Sequence, residues 1–477
     1  MAFNQTVLAR ALITTAMILF AFVVDPLGVR NAAEKHYEDH ILRLWSPFYS
    51  EEVSQEIAVI LIDDTFLRQT EKYPVTYRNL SNILKVISAH KPKAVFFDIL
   101  QHYEHSPRLD RWLKTLDSQN FPVFMSSDTD YDTESILNDE TSLRYKISQV
   151  SQLTAVSWSG YQHYYPLYVD WNGSKSETAA MSLYQAWCTA EKGRCSDSLQ
   201  DPIKSFIEPM MVQWTNKFDS QQNSYFPLSH ECGQVSSSQF SQFWDLLNLS
   251  LTQGVQTDEA LDEGLRQRCP PFLSISAAKL FESGSLKSEA LSKAIQNRLV
   301  LVGYYLPGGT DIVRSPVHGS LPGVYYHAMA LDNLINIDTD YWHVPEKIGF
   351  FSLSLADLIE IIVQVGVLFL VIWYRYTHLE NELTDGETLN SRSQIYSGIK
   401  PTLCIIVLIM ASVLVCHFIL KVGAPNWYGL LMILFLDLPI FLFYFLEAVK
   451  KFAINKASHI REKVICYIHS IKTLNNR

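Results

Sequence analysis

Four aspartates set the first chemical question. Asp63, Asp64, Asp98 and Asp311 each stand at or just past the end of an apolar run of strand length. Carboxylates sharing one sheet edge can hold a metal or serve as general acid and base. The plainer reading is that they cap helices or pair with Arg78 and Arg314. Asp311, Arg314 and His318 belong to L-V-G-Y-Y-L-P-G-G-T-D-I-V-R-S-P-V-H-G, Leu301 to Gly319, where an apolar strand runs into a glycine turn. Phosphate-binding loops open in this way. However, neither G-x-x-x-x-G-K-[ST] nor G-x-G-x-x-G is present, so no nucleotide cofactor is expected. No G-x-S-x-G nucleophile elbow accompanies the acids, and no catalytic residue is assigned. Gly303 is expected to permit a tight exit from the strand, and Gly308–Gly309 a reversal.

Other groupings are weaker. Asp128, Asp130, Asp132 and Asp139 fall on calcium-loop positions, but Thr133 stands where glycine is needed and Asp139 where a bidentate glutamate is. A solvated acidic loop is expected there. In H-Y-E-H, His102 and His105 could ligate a metal, with no further ligand identified. Cys188, Cys195, Cys232 and Cys269 lie in one stretch without tight C-x-x-C spacing, which favours disulfides over zinc. Cys188 with Cys195 is the easiest pair by proximity, and the connectivity stays open. Asp357, Glu360 and Gln364 share a helical face inside an apolar run, and Asp437 sits in another. Acids in such places mark helix contacts or an ion path.

The elements that must position these residues follow from periodicity. I-A-V-I-L-I-D-D, A-V-F-F-D-I-L, P-V-F-M-S-S and L-V-L-V-G read as buried strands. Leu80, Ile83, Leu84 and Ile87 recur at helical spacing, and R-L-D-R-W-L-K-T-L reads as another helix. Strand–helix alternation implies crossover units and a mainly parallel sheet. About 170–270 has no clean period and reads as a cysteine-rich insertion. P-G-V-Y-Y-H-A-M-A-L-D-N-L-I is a helix that Pro322 and Gly323 initiate.

Four apolar runs frame this domain: Val7–Val24, Leu353–Tyr374, Leu403–Leu420 and Trp427–Leu446. About 20 mainly apolar residues cross a bilayer. The expected organisation is an N-terminal anchor (1–24), an outer domain (25–350), spans at 351–375, 403–420 and 427–449, a cytoplasmic loop (376–402) and a basic tail (450–477). No small-x-small cleavage site follows the first run, so it reads as an anchor that stays. Lys450–Arg477 holds seven Lys or Arg against one acid, which puts the tail in the cytoplasm. The membrane and cytoplasmic parts carry about +3, so the chain's −10 leaves about −13 on the outer domain. That balance disfavours nucleic acid as a partner there.

The order I-A-V-I-L-I-D-D, Y-P-V-T-Y-R, K-P-K-A-V-F-F-D-I-L, and finally R-L-V-L-V-G…D-I-V-R-S-P-V-H-G-S-L-P-G-V-Y-Y-H-A, resembles the second class of CHASE domains (cyclase/histidine-kinase-associated sensory extracellular). Matching residues are Asp63, Pro74, Arg78, Asp98, Gly303, Asp311, Pro316, Pro322, Gly323 and His327. The resemblance implies an α/β extracytoplasmic sensor followed by three transmembrane helices, commonly dimeric and fused to a cyclase or kinase. Two departures stand out. No output domain fits in the 28 residues or so after the last span, and Y-P-V-T-Y-R lacks the tryptophans usual there.

The expected protein is therefore a bacterial inner-membrane sensor without catalysis of its own. Its partners would be the bilayer, a second copy, and a separate output protein such as a kinase or cyclase. A membrane effector or channel and a periplasmic enzyme are the alternatives.

Overall fold

The computed structural model describes residues 38–343 except 50–54, 160–163, 192–194, 196, 220, 223–237, 253–269 and 307–310, together with 347–348, 353–354, 358–359, 361–363, 365–366, 407, 411–412 and 414–421. The chain divides into two units, Asp39–Val344 and the remainder. Among the described residues no helix is long and apolar enough to cross a membrane. Val7–Val24, Trp427–Leu446 and parts of the other two apolar runs lie outside the described residues, as do Asp357, Glu360, Gln364, Asp437, Cys232 and Cys269.

The Asp39–Val344 unit is built on a six-stranded, wholly parallel sheet. Its strands are β1 (Ile57–Asp63), β2 (Ala94–Asp98), β3 (Val123–Ser127), β4 (Gln152–Ala155), β7 (Leu273–Ser276) and β8 (Leu299–Tyr305). The spatial order is β4-β3-β2-β8-β1-β7. Parallel strands covered on both faces must be apolar throughout, and Ile57 to Ile62 are all buried. Two further hairpins stand apart: β5 (Tyr168–Trp171) with β6 (Ser174–Glu177), and β9 (Ile312–Ser315) with β10 (Gly319–Pro322).

Alternation along the strands divides the apolar side chains between two cores. Ile60, Ile62, Val95, Phe97, Val300 and Val302 face one side. There they meet the crossover helices α1 (Asp64–Thr70), α2 (Tyr77–Ala89), α3 (Leu109–Asp117), α4 (Leu143–Ser148) and α7 (Glu289–Ile295). Helix α2 shows why such segments are helical: Thr76 Oγ1 caps the Asn79 amide at 3.3 Å, and Leu80, Ile83, Leu84 and Ile87 bury one stripe. Val59, Leu61, Phe96, Phe124 and Leu301 face the other side, beneath α5 (Ala179–Ala190) and α8 (Val324–Ile337).

The irregular stretch supplies α5, whose Ala180, Leu183, Tyr184 and Trp187 join the second core. One sequence expectation changes here. Gly303 lies inside β8, which continues to Tyr305, so it is not a strand exit.

Candidate functional site

The crevice of this sheet lies where neighbouring strands send their chains to opposite faces. After β2 the chain passes to α3, on the first face; after β8 it passes through the β9–β10 hairpin to α8, on the second. Asp98 ends β2 and is the register partner of Gly303 in β8. The candidate site forms around this point.

Two glycines let it close. A Cβ at Gly303 would lie 2.7 Å from Val324 Cβ, so only a glycine lets the start of α8 sit on β8. A Cβ at Gly323 would lie 2.1 Å from Asp311 Oδ1. Asp311 is exposed as a residue, but its carboxyl is tucked over the first turn of α8, and its carbonyl accepts the Gly323 N–H at 3.2 Å.

His327 lies one turn into α8 and is buried. Tyr165 Oη stands 2.7 Å from His327 Nδ1 and accepts the Ala180 N–H at 3.1 Å. His327 Nε2 faces Asp98 Oδ2 at 3.9 Å, beyond hydrogen-bond reach. Phe96, Tyr165 and Trp158 surround the imidazole with ring centroids at 5.6, 5.6 and 6.1 Å.

Burial controls the electrostatics. It raises the Asp98 carboxyl well above the ordinary carboxylate range, and the charge of Asp311 adds to the effect. Burial also raises Asp311. The same desolvation lowers His327 to about 3, so the imidazole is neutral and gives Asp98 no counter-charge. Asp98 Oδ2 is buried without a hydrogen-bond partner. Two acids that repel each other thus share a site with a neutral histidine.

The other predicted residues fall elsewhere. Asp63 is the N-cap of α1, accepting from Phe66 N–H at 2.9 Å and from Ser276 Oγ–H at 2.8 Å. Asp64 faces Arg68 in an exposed pair at 3.7 Å. Arg78 and Arg314 are exposed, and neither forms an ion pair with these aspartates. Capping therefore accounts for Asp63, and the expected arginine pairing is replaced by local contacts. His318 is buried in the turn between β9 and β10, with Nε2 2.7 Å from Thr215 O. Cys188 and Cys195 form a disulfide.

The acidic loop is not solvated throughout. Asp132 is fully buried and paired with Arg144 at 2.8 Å. It also accepts from Ser127 Oγ–H at 2.6 Å and Asp128 N–H at 3.1 Å. The aspartate is consumed by these partners, which is why the loop departs from the expected form. His102 packs against Tyr131 with ring centroids 4.0 Å apart and planes tilted by 56°, while His105 Nε2 lies 2.9 Å from Val75 O. No cluster of three metal-ligating side chains occurs among the described residues.

Sequence reasoning located Asp98, Asp311 and His327 but missed Tyr165, Arg144 and the polar strand residues Ser126 and Thr154. Tyr165 carries no local signal, since its partner is 162 residues away. Ser126 did leave one, as the first of two serines that close the otherwise apolar β3, whereas Thr154 stands in a strand that opens on Gln152 and ends on Ala155.

Comparison with curated proteins and with solved structures yields no match. A family model described as the CHASE2 domain matches residues 13–372. The converging residues Asp98, Gly303, Asp311, Gly323 and His327 all belong to the segments that carried the resemblance. On that match, which spans most of its length, this chain belongs to the CHASE2 family of sensory domains.

Proposed function

We propose that this protein is a bacterial inner-membrane sensor whose large domain lies outside the cytoplasm and whose signal leaves through transmembrane helices to a separate output protein. It acts as a homodimer and performs no catalysis itself. CHASE2 domains are sensory, and the apolar runs and basic tail of the sequence support the topology.

The observation that carries the reading is the convergence at the start of α8. Asp98 from β2, Asp311 from the β8–β9 connection and His327 from α8 meet around an unpartnered buried carboxyl oxygen. Helix α8 is also the last long helix before the apolar run that begins near Leu353. A change in charge or occupancy here would alter how α8 seats on β8. Seating with two states of different affinity for the stimulus is what sensing requires.

The test is affinity purification of the full chain from native membranes after cross-linking. The wild type is expected to retain a kinase, cyclase or other effector whose recovery shifts in Asp98→Asn and is lost when Lys450–Arg477 is deleted. Recovery unaffected by both changes would count against the sensor. Turnover of a periplasmic substrate that requires Asp98 would favour the enzyme alternative instead.

A further inference from the structure

Three neighbouring strands end in a polar row on one face. Ser126 and Thr154 are register partners between β3 and β4. Phe97 opposite Met125 sets Asp98 beside Ser126 one residue later. Phe96 and Phe124 enter the second-face core, so alternation turns Asp98 and Ser126 the same way. Leu153 packs on the opposite core, which turns Thr154 to join them. With strands about 4.8 Å apart, the row is about 10 Å long.

This row is buried and unsatisfied. Ser126 Oγ, Thr154 Oγ1 and Asp98 Oδ2 have no hydrogen-bond partner, nor does either end of the buried Gln101 amide. Arg144 ties Gln101 to the row, donating to Gln101 O at 3.4 Å and Ser126 O at 2.9 Å. Native proteins leave few such atoms, and a group of them on one face calls for a bound polar partner.

Charge selects the partner. Arg144 is spent on Asp132, and His327 is uncharged, so no cation balances Asp98 or Asp311 among the described residues. An anion would meet two carboxyls. A neutral polyol would serve the hydroxyls but leave an ionised carboxylate uncompensated. A primary ammonium brings three donors and a positive charge. Trp158, half-buried with its ring 5.0 Å from that of Tyr165, adds an aromatic surface of the kind that attracts cations.

We infer that the row Asp98–Ser126–Thr154 binds a small primary amine as its ammonium ion, with Asp98 as counter-ion and Trp158 as the aromatic wall. This deepens the sensor reading and rests on it. The proton balance is explicit: the ammonium keeps its protons, and the carboxyl pair releases one to solvent as the ion pair forms. Binding therefore tightens as pH rises through the range in which the pair ionises.

The experiment titrates the full chain in detergent micelles with methylamine, ethanolamine and putrescine by calorimetry, in two buffers of different protonation enthalpy. Glycerol and acetate are the neutral and anionic controls. At least one amine is expected to bind with proton release. Asp98→Asn should weaken it by about tenfold or more and abolish the release, as loss of a charge-assisted hydrogen bond implies. Ser126→Ala should weaken binding several-fold with the unfolding transition retained, which keeps the test valid if the first variant fails to fold. Absence of amine binding, binding indifferent to both substitutions, or binding of glycerol or acetate in its place would overturn the inference. Partner recovery that depends on Asp98 without any amine binding would sink this inference alone and leave the sensor standing.

Discussion

Two buried aspartates close to the ends of adjacent strands follow opposite designs. Asp132, just past β3, has every need met: Arg144 supplies a charge and two donors, and Ser127 and Asp128 supply two more. Asp98, at the end of β2, has a neutral histidine at 3.9 Å, a second acid nearby and one oxygen with nothing to bind. Both sites are desolvated, so burial alone does not explain the contrast. A fully partnered buried pair holds the chain in one arrangement. An unpartnered acid stores a preference for a proton or a cation, which is what a responsive site needs.

The largest predicted effect lies on the partnered side. Asp132→Asn leaves Arg144 as an uncompensated buried charge and should destabilise the domain by about 3–5 kcal/mol, measured by urea unfolding followed through tryptophan fluorescence. Asp98→Asn removes no satisfied interaction and lifts the cost of burying an acid at neutral pH, so it should not destabilise the domain there and is expected to stabilise it. Equal losses in the two variants would erase the distinction drawn here.

Next comes the packing that holds the site shut. Gly303→Ala drives a methyl to 2.7 Å from Val324 Cβ, and overpacking of this kind costs about 1–3 kcal/mol. The same unfolding assay measures it. A neutral outcome would mean that α8 can lift from β8 at little cost.

The pH dependence separates the site's members by sign. Asp98 is raised when folded, so the native state binds more protons than the unfolded chain above the ordinary value of 3.8. Its contribution is full at low pH and is lost as pH rises through the folded value. His327 is lowered from 6.5 to about 3, so its contribution is full above about 6.5 and is lost as pH falls toward about 3. Unfolding across pH should therefore show a weaker alkaline-side loss in Asp98→Asn and a weaker acid-side loss in His327→Gln. The smallest expected effect is at Arg78→Ala and Arg314→Ala, within about 0.5 kcal/mol of wild type, because both side chains are exposed.

What was legible in the sequence followed physical locality. Ile57–Asp63 and Leu299–Tyr305 announce themselves because strands buried on both faces must be continuously apolar. Asp98 and Asp311 were visible as acids closing or following such strands. Their unequal fates with Asp63 and Asp64 were not, since a cap depends on backbone turns three residues on. Arg144 carries no local signal, because the acceptors that hold it in the interior are carbonyls of β3 and of the loop after β2. Tyr165 lies in a stretch without period, where tertiary contact alone assigns a role.

The central claim, that Asp98 is a carboxyl deprived of counter-charge, can be observed directly by infrared difference spectroscopy of the full chain at about pH 5.5, above the ordinary carboxylate range. Subtracting the Asp98→Asn spectrum from the wild type should reveal the carbonyl stretch of a protonated carboxyl, disappearing as the pH is raised. A difference spectrum showing only carboxylate bands at that pH would mean Asp98 is already ionised and partnered, and the account would be wrong.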